Sequence, residues 1–125
     1  MSLKYSKKVM KHFLNPKFVK KLRNPDAVGE VGNIRCGDIM HLEIKVKDNK
    51  ISDIGFKTFG CPAAVASSDV VCELAKGKTL EQAQKLKKDD IIKKLETMPK
   101  IKIHCSVLGI HALKKTIENY RRRTR

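Results

Sequence analysis

The sequence predicts an α+β fold in which three strands form a small antiparallel meander and helices follow. Two observations support this prediction. Apolar and polar residues alternate from Met40 to Lys47, which is the pattern of a strand with one face on a core. After Cys61 the apolar residues recur at the spacing of amphipathic helices. The 125 residues suit a single domain, 1–125, with one modest core.

Turn residues and glycines divide the first half of the chain into the three strands. A first, irregular strand is predicted from Ala27 to Arg35, and the alternating segment after Cys36 forms the second. Asp48-Asn49-Lys50 is a turn. Alternation resumes from residue 54 to residue 58, so the third strand is expected to end just before Cys61.

Helices are predicted on both sides of the meander. A short one spans residues 5–14 and stops at Asn15-Pro16, after which residues 16–26 are interpreted as a loop. Pro62 suits the first position of the next helix, and Gly77 suits its C-terminal end. The remaining elements are helices at residues 79–85, 89–95 and about 106–120, with an extended linker at 98–102.

The chain is strongly basic, with a net charge of +15 from 28 Lys and Arg against 13 Asp and Glu. We interpret this as a well-solvated lysine-rich surface. With 5% aromatic residues and no basic-aromatic module, nucleic-acid binding remains a minor alternative. No apolar run is long enough to span a bilayer, and the N-terminus lacks the apolar core of a secretory signal. A cytoplasmic protein without a membrane partner is therefore expected.

The four cysteines are the chemically informative residues. In a reducing compartment, spaced cysteines are metal ligands or reactive thiols more often than disulfides, and no C-x-x-C pair is present. Cys61 and Cys105 fall at the starts of predicted helices, where the helix dipole and free N–H groups stabilise a thiolate. Cys36 lies in a turn beside Gly37, which keeps its sulfur accessible.

Two polar neighbours extend this set. His104 precedes Cys105, and Asp38 follows Cys36 by two residues. Three thiolates, an imidazole and a carboxylate form a ligand set for zinc or for an iron–sulfur cluster. A single cysteine at a helix start is more often a small buried residue, and an isolated Asp38 would be interpreted as a turn cap. Three cysteines at such junctions, one beside a histidine, favour a shared site.

The fourth cysteine and three histidines are predicted to lie outside the site. Cys72 follows Cys61 by eleven residues on one predicted helix, a separation of roughly 16 Å that no single metal can bridge. Cys72 is therefore expected to be a packing residue. His41 falls on the polar face of a strand, and His12 and His111 fall on helices without ligand partners at useful spacing.

The three cysteine motifs occur in order with characteristic flanks. They are Cys36-Gly37-Asp38-Ile39-Met40, Phe56-Lys57-Thr58-Phe59-Gly60-Cys61 and Lys102-Ile103-His104-Cys105-Ser106. On these motifs the chain resembles the NifU/IscU-type scaffold of iron–sulfur cluster assembly. The resemblance covers nearly the whole length, beginning at Tyr5-Ser6-Lys7-Lys8-Val9.

The resemblance implies a SufE/NifU-like fold, a three-stranded antiparallel sheet with helices packed on one face. It implies that Cys36, Cys61 and Cys105 hold a nascent [2Fe–2S] cluster, assembled from iron and desulfurase-derived sulfur and then passed to apo acceptor proteins. Asp38 and His104 would complete the site, and which of the two is the fourth ligand stays open. Cys105 is the sulfur acceptor candidate. Such a scaffold is not an enzyme.

The resemblance also implies partners. A cysteine desulfurase and apo iron–sulfur acceptor proteins are expected, and the family often binds an Hsp70-type chaperone and its J-protein. Met98-Pro99-Lys100 departs from the family's Leu-Pro-Pro-Val-Lys motif, so the sequence leaves chaperone docking open. The oligomeric state also stays open, with a cluster-bridged homodimer among the options.

The alternative is a zinc-bound sulfur acceptor that stimulates a cysteine desulfurase, as in the SufU-type subfamily. That subfamily carries an insertion between its second and third cysteines and lacks the histidine. This chain has His104 and shows no obvious insertion between Cys61 and Cys105. These two features favour the cluster scaffold.

Overall fold

The structure is a computed structural model that describes residues 7–33, 38–60, 62–95 and 103–123, with only the backbone at 33, 62 and 103–106. Its elements, in chain order, are α1 (Lys7–Leu14), β1 (Ala27–Asn33), β2 (Asp38–Lys47), β3 (Lys50–Phe59), α2 (Pro62–Ala75), α3 (Leu80–Gln84), α4 (Lys88–Lys94) and α5 (Ile103–Arg123). The predicted order of strands and helices is therefore confirmed. The linker predicted at 98–102 lies outside the described residues.

The three strands form one antiparallel sheet in the order β1-β2-β3. Leu42 of β2 lies between Gly29 of β1 and Phe56 of β3. Asp48 and Asn49 form the predicted turn, both with positive φ, as a tight two-residue hairpin requires. The predicted meander is confirmed, although Lys50 already pairs with Lys47 and so belongs to β3 rather than to the turn.

The helices cover one face of this sheet, as expected. Most inward side chains of β2 and β3 are fully or almost fully buried. Among the helices, α5 contacts β2, and α2 contacts β3. Alternation along the strands therefore sends one row of side chains into the core and the other to the opposite face. The inward row includes Met40, Leu42, Ile44, Ile54 and Phe56.

Local sequence signals explain the boundaries after the sheet. The first helix of this half begins at Pro62, whose fixed φ suits a first helical position. Gly77 follows its end with φ of 87°, a conformation that glycine adopts without strain. Thr79 caps α3 through a reciprocal pair of hydrogen bonds with Gln82. Within the described residues, no helix is both long and apolar enough to cross a membrane.

One prediction needs correction. The last helix begins at Ile103 rather than near Ser106, because no helix-breaking residue separates 103 from the apolar stripe that marked the predicted start. His104 and Cys105 therefore lie inside its first turn. The segment 16–26, which the structure describes throughout, contains no helix or strand, as predicted. It is nevertheless attached to β3, because Phe18 O accepts a hydrogen bond from Phe56 N at 2.9 Å and Val19 forms an isolated bridge with Phe56.

Candidate functional site

The end of β1, the start of β2 and the end of β3 lie side by side along one edge of the sheet, the edge that runs across the strands. Asn33, at the end of β1, pairs with Asp38 at the start of β2, and Ile39 pairs with Phe59 at the end of β3. The segment that contains Cys36 connects the first two strand ends, and Cys61 lies between β3 and α2; both cysteines lie outside the described residues. The described chain on either side of each cysteine therefore converges on this edge.

Asp38 is the one predicted ligand whose side chain the structure describes. It is 2% exposed although it opens a strand. Its carboxyl lies against the backbone of Gly60, so close that a Cβ atom at residue 60 would stand 2.8 Å from the Asp38 Cγ. Gly60 thus leaves room for the carboxylate next to the position of Cys61. The structure brings Asp38 to the edge where the cysteine motifs converge.

The start of α5 lies at the same edge. The helix runs antiparallel to β1, because Lys115 Nζ donates to Glu30 O at 3.0 Å and Arg123 Nη1 donates to Asp26 O at 2.8 Å. Going backwards along α5 therefore leads towards Asn33, the site end of β1. The backbone of His104 and Cys105 lies in that first turn.

The second helix also begins there and runs beside α5. In the second turn of α2, Ser68 Oγ lies 3.0 Å from Thr58 Oγ1, which is near the end of β3. After the end of α2, Gly77 N donates to Ile51 O, which is near the start of β3. Both α2 and α5 therefore point away from the site and are parallel. Their N-terminal ends carry partial positive charge, which stabilises a thiolate.

Cys72 is a packing residue, as predicted. It is a fully buried free thiol in the core. Burial raises the pKa of this thiol well above its ordinary value, and the nearby Asp69 carboxylate raises it further. Among the residues that the structure describes, no group of three or more His, Cys, Asp and Glu side chains is arranged to hold a metal ion. Of the predicted ligands, that description includes only the side chain of Asp38.

His12 has a partner that the sequence did not reveal. Its Nδ1 lies 2.6 Å from Asp69 Oδ2, and Asp69 Oδ1 accepts hydrogen bonds from Lys17 N and Phe18 N. The buried carboxylate on α2 therefore ties α1 and the segment beside β3 to the core. Spacing could not predict this contact because 57 positions separate the two residues. His41 lies on the non-core face, as predicted, with its Nε2 3.0 Å from Glu43 Oε2.

An exposed apolar pair lies on the face opposite the helices. Ile39 and Phe59 face each other across β2 and β3 and are 45% and 60% exposed. Val19, in the edge segment, is also largely exposed and lines the same surface depression. Contiguous exposed apolar side chains of this kind mark protein contact surfaces.

The fold and site define a member of the NifU-like N-terminal domain family, since the model of that family matches residues 4–125. The chain belongs to this family, which confirms the resemblance inferred from the motifs. It is 51% identical over 119 residues to the iron–sulfur cluster assembly scaffold protein IscU 1 of Archaeoglobus fulgidus, covering 95% of this chain and 78% of that protein. It is 47% identical to IscU of Escherichia coli, with 94% of each chain covered.

Solved structures agree on the fold. A putative iron–sulfur cluster assembly scaffold protein for the SUF system from Fervidobacterium islandicum superposes with a TM-score of 0.77 at 25% identity, covering 90% of this chain and 96% of that one. A NifU-like N-terminal protein from Brucella abortus also gives a TM-score of 0.77, at 22% identity and 93% coverage of each chain. The predicted fold class is thereby confirmed.

Proposed function

We propose that this protein is a scaffold on which [2Fe–2S] clusters are assembled from iron and desulfurase-derived sulfur, and from which they pass to apo acceptor proteins. The observation that supports this most strongly is the convergence of Asp38, the β3–α2 junction and the first turn of α5 at one edge of the sheet. Membership of the NifU-like family supports the same function.

In this proposal the cluster is cargo. Cys36, Cys61 and Cys105 supply thiolates, while Asp38 and His104 supply an oxygen and a nitrogen. The positive ends of α2 and α5 favour the thiolate form that binds iron. A set of mixed ligands holds a cluster less firmly than four cysteines in a buried site, and a scaffold has to release what it holds. The protein performs no turnover of its own.

Sulfur delivery is assigned to Cys105. Its thiolate attacks the terminal sulfur of a desulfurase persulfide, the desulfurase sulfur leaves as a thiolate, and Cys105 becomes the persulfide. No electrons are gained or lost overall in this exchange. Position 105 suits the role because it lies in the first turn of a helix that begins at the site edge.

The proposed partners are a cysteine desulfurase and apo acceptors. The exposed pair Ile39 and Phe59 stands directly beside the site and supports a docking surface for a protein partner there. Docking of an Hsp70-type chaperone and its J-protein stays open, because Met98-Pro99-Lys100 departs from the family's motif and lies outside the described residues. A cluster-bridged homodimer would appear as a doubling of mass on loading.

The test is anaerobic reconstitution with iron, cysteine and a cysteine desulfurase. We expect an absorbing cluster in the visible range, and its transfer to an apo ferredoxin. Cys36→Ala, Cys61→Ala and Cys105→Ala should each reduce cluster formation, whereas the matched control Cys72→Ala should not, because Cys72 is buried away from the site. The proposal is wrong if no cluster forms, or if all three site variants behave as the wild type.

A zinc-bound sulfur acceptor that stimulates a desulfurase is the second candidate. The chemistry of the donor set supports it, because three thiolates with Asp38 or His104 would give zinc four ligands. Metal content after purification without oxygen separates the two functions. Zinc, together with desulfurase stimulation that persists without iron, would favour this second function.

A further inference from the structure

Ser67 carries a buried hydroxyl without a hydrogen-bond partner. The side chain is 0% exposed, and its Oγ is the one buried side-chain oxygen or nitrogen atom in the described part of the chain that bonds to nothing. Buried polar groups in folded proteins are nearly always satisfied, because burying one without a partner is costly. Alanine would fill this position without that cost.

Neighbouring hydroxyls show what a helical serine or threonine ordinarily does. Ser68 Oγ donates to Ala64 O at 2.8 Å, and Thr116 Oγ1 donates to Ala112 O at 2.6 Å. Each bonds back to the carbonyl four residues earlier in its own helix. Ser67 makes no such bond. Its hydroxyl is therefore available to donate a hydrogen bond to a group outside α2.

The helix beside Ser67 is α5, which approaches very closely here. A Cβ atom at Gly109 would stand 2.7 Å from Val71 Cγ2 and 3.7 Å from the carbonyl oxygen of Ser67. Position 109 therefore lies against residues 67 and 71, which are one turn apart on one face of α2.

The same geometry places position 105. It precedes Gly109 by four residues and so shares its face of α5. Because α2 and α5 are parallel, one turn back along α5 corresponds to one turn back along α2. Position 105 therefore lies against residues 63 and 67, and Ser67 is one of the two residues of α2 that face it.

We propose that the Ser67 hydroxyl donates a hydrogen bond to the sulfur of Cys105 when that sulfur binds a metal ion or a cluster. This inference rests on the proposed role of Cys105 as a ligand. A hydroxyl that donates to a thiolate orients the ligand and stabilises its negative charge. Ser67 is thus a positioning residue. Its missing partner is the ligand sulfur of the loaded site.

The experiment compares Ser67→Ala with the matched control Ser68→Ala, measuring the unfolding midpoint of each. The probe is zinc alone, its dissociation constant measured by chelator competition on the apo protein. Ser67→Ala should keep or raise the unfolding midpoint and weaken zinc binding about tenfold, because a partner of a metal ligand has gone. Ser68→Ala should lower the midpoint, since it removes three polar contacts, and bind zinc as the wild type does.

A second readout uses the reconstituted cluster. Hydrogen bonds to cluster sulfurs raise the reduction potential, so Ser67→Ala should shift it to a more negative value. Wild-type zinc affinity in Ser67→Ala, or an equal loss in Ser68→Ala, would overturn the inference and leave Ser67 a packing residue. If the wild type binds zinc, shows the Ser67 effect and forms no cluster, the proposed function fails while this inference stands.

Discussion

The two ends of the sheet are built in opposite ways. At the end far from the site, backbone groups bond to one another: Gly77 N donates to Ile51 O at 2.8 Å, and Ile51 N donates to Lys78 O at 2.9 Å. Asp48 and Asn49 close the hairpin there in left-handed conformations. This end is held together by hydrogen bonds that need no ligand.

At the site end, the notable groups are buried polar side chains, whereas at the far end they are backbone groups hydrogen-bonded to one another. Asp38 is buried against Gly60, and the Ser67 hydroxyl has no partner. Two helices also direct their positive ends there. One end therefore stabilises the fold, and we propose that the other presents groups to a ligand, a division that is typical of functional sites. Changes at the far end should alter the free energy of unfolding, and changes at the site end should alter cluster binding.

Thiol reactivity should separate core from site most strongly. Burial raises the pKa of the Cys72 thiol, so little reactive thiolate forms near neutral pH, and the sulfur reacts only when the core opens. We expect iodoacetamide to label Cys72 at least about 100-fold more slowly than Cys36, Cys61 and Cys105 in the apo protein. Peptide mass spectrometry measures this. Equal labelling in the native protein, with all sites reacting alike in urea as the control, would contradict the assignment of Cys72 to the core.

Removing Asp38 should change cluster release. A carboxylate that can take the place of a thiolate on iron assists the ligand exchange by which a cluster leaves, so in Asp38→Ala the cluster should pass to an apo acceptor about tenfold more slowly, a rise of about 1.4 kcal/mol in the barrier. The matched control is Asp53→Ala, whose carboxylate lies on the open face and pairs with Lys20. Circular dichroism of the acceptor during transfer gives the rate. A rate equal to that of the control would remove Asp38 from the site.

Gly77→Ala should affect the far end alone. Alanine has to adopt a φ of 87° there, although nothing within 4 Å opposes its Cβ atom. The cost is therefore one of backbone conformation and should lower the free energy of unfolding by about 1 kcal/mol. Urea denaturation of the apo protein measures it, and the reconstituted cluster should keep the wild-type spectrum and lifetime. A shortened cluster lifetime would show that the two ends are not independent.

The smallest expected effect concerns pH. Burial raises the pKa of the Asp53 carboxyl, but hydrogen bonds from Lys20 and Ile54 outweigh burial and leave the pKa below its ordinary value of 3.8. A lowered folded-state pKa stabilises the fold above the unfolded value, and this contribution is lost as pH falls through the folded value. Asp53→Asn should therefore cost about 0.5 kcal/mol at pH 7, a small figure because solvent screens the pair.

The same variant should cost less at pH 3, where the Asp53 carboxylate is becoming protonated. Urea denaturation at both pH values measures the difference. Glu118→Gln is a suitable comparison, because Glu118 is an exposed partner of Arg122. A loss that is the same at both pH values would contradict the pKa direction.

The sequence predicted those parts of the molecule that local signals control. Alternation in β2, Pro62 at the start of α2 and the short helix predicted at residues 79–85 all rest on local signals, and each was confirmed. The pairing of Phe18 with Phe56 and the contact of His12 with Asp69 join distant parts of the chain, and no local pattern reports them.

The site shows the same division. The spacing argument excluded Cys72 correctly, and the convergence of the junctions follows from the meander and the helix order. The closeness of Asp38 to Gly60 and the unpartnered hydroxyl of Ser67 depend on packing in three dimensions. The start of α5 was misplaced because the apolar stripe marks only part of that helix, whereas the helix begins at Ile103, before the stripe.

The most direct test of the central claim, that the site end holds an iron–sulfur cluster on mixed ligands, is Mössbauer spectroscopy of protein reconstituted with ⁵⁷Fe. We predict the spectrum of a [2Fe–2S] cluster with two inequivalent irons, because an oxygen or nitrogen ligand replaces sulfur on one of them. Cys36→Ala, Cys61→Ala or Cys105→Ala should abolish or alter that spectrum, and Cys72→Ala should not. A spectrum of isolated iron ions in the wild type, or an unchanged cluster in all three site variants, would contradict the claim.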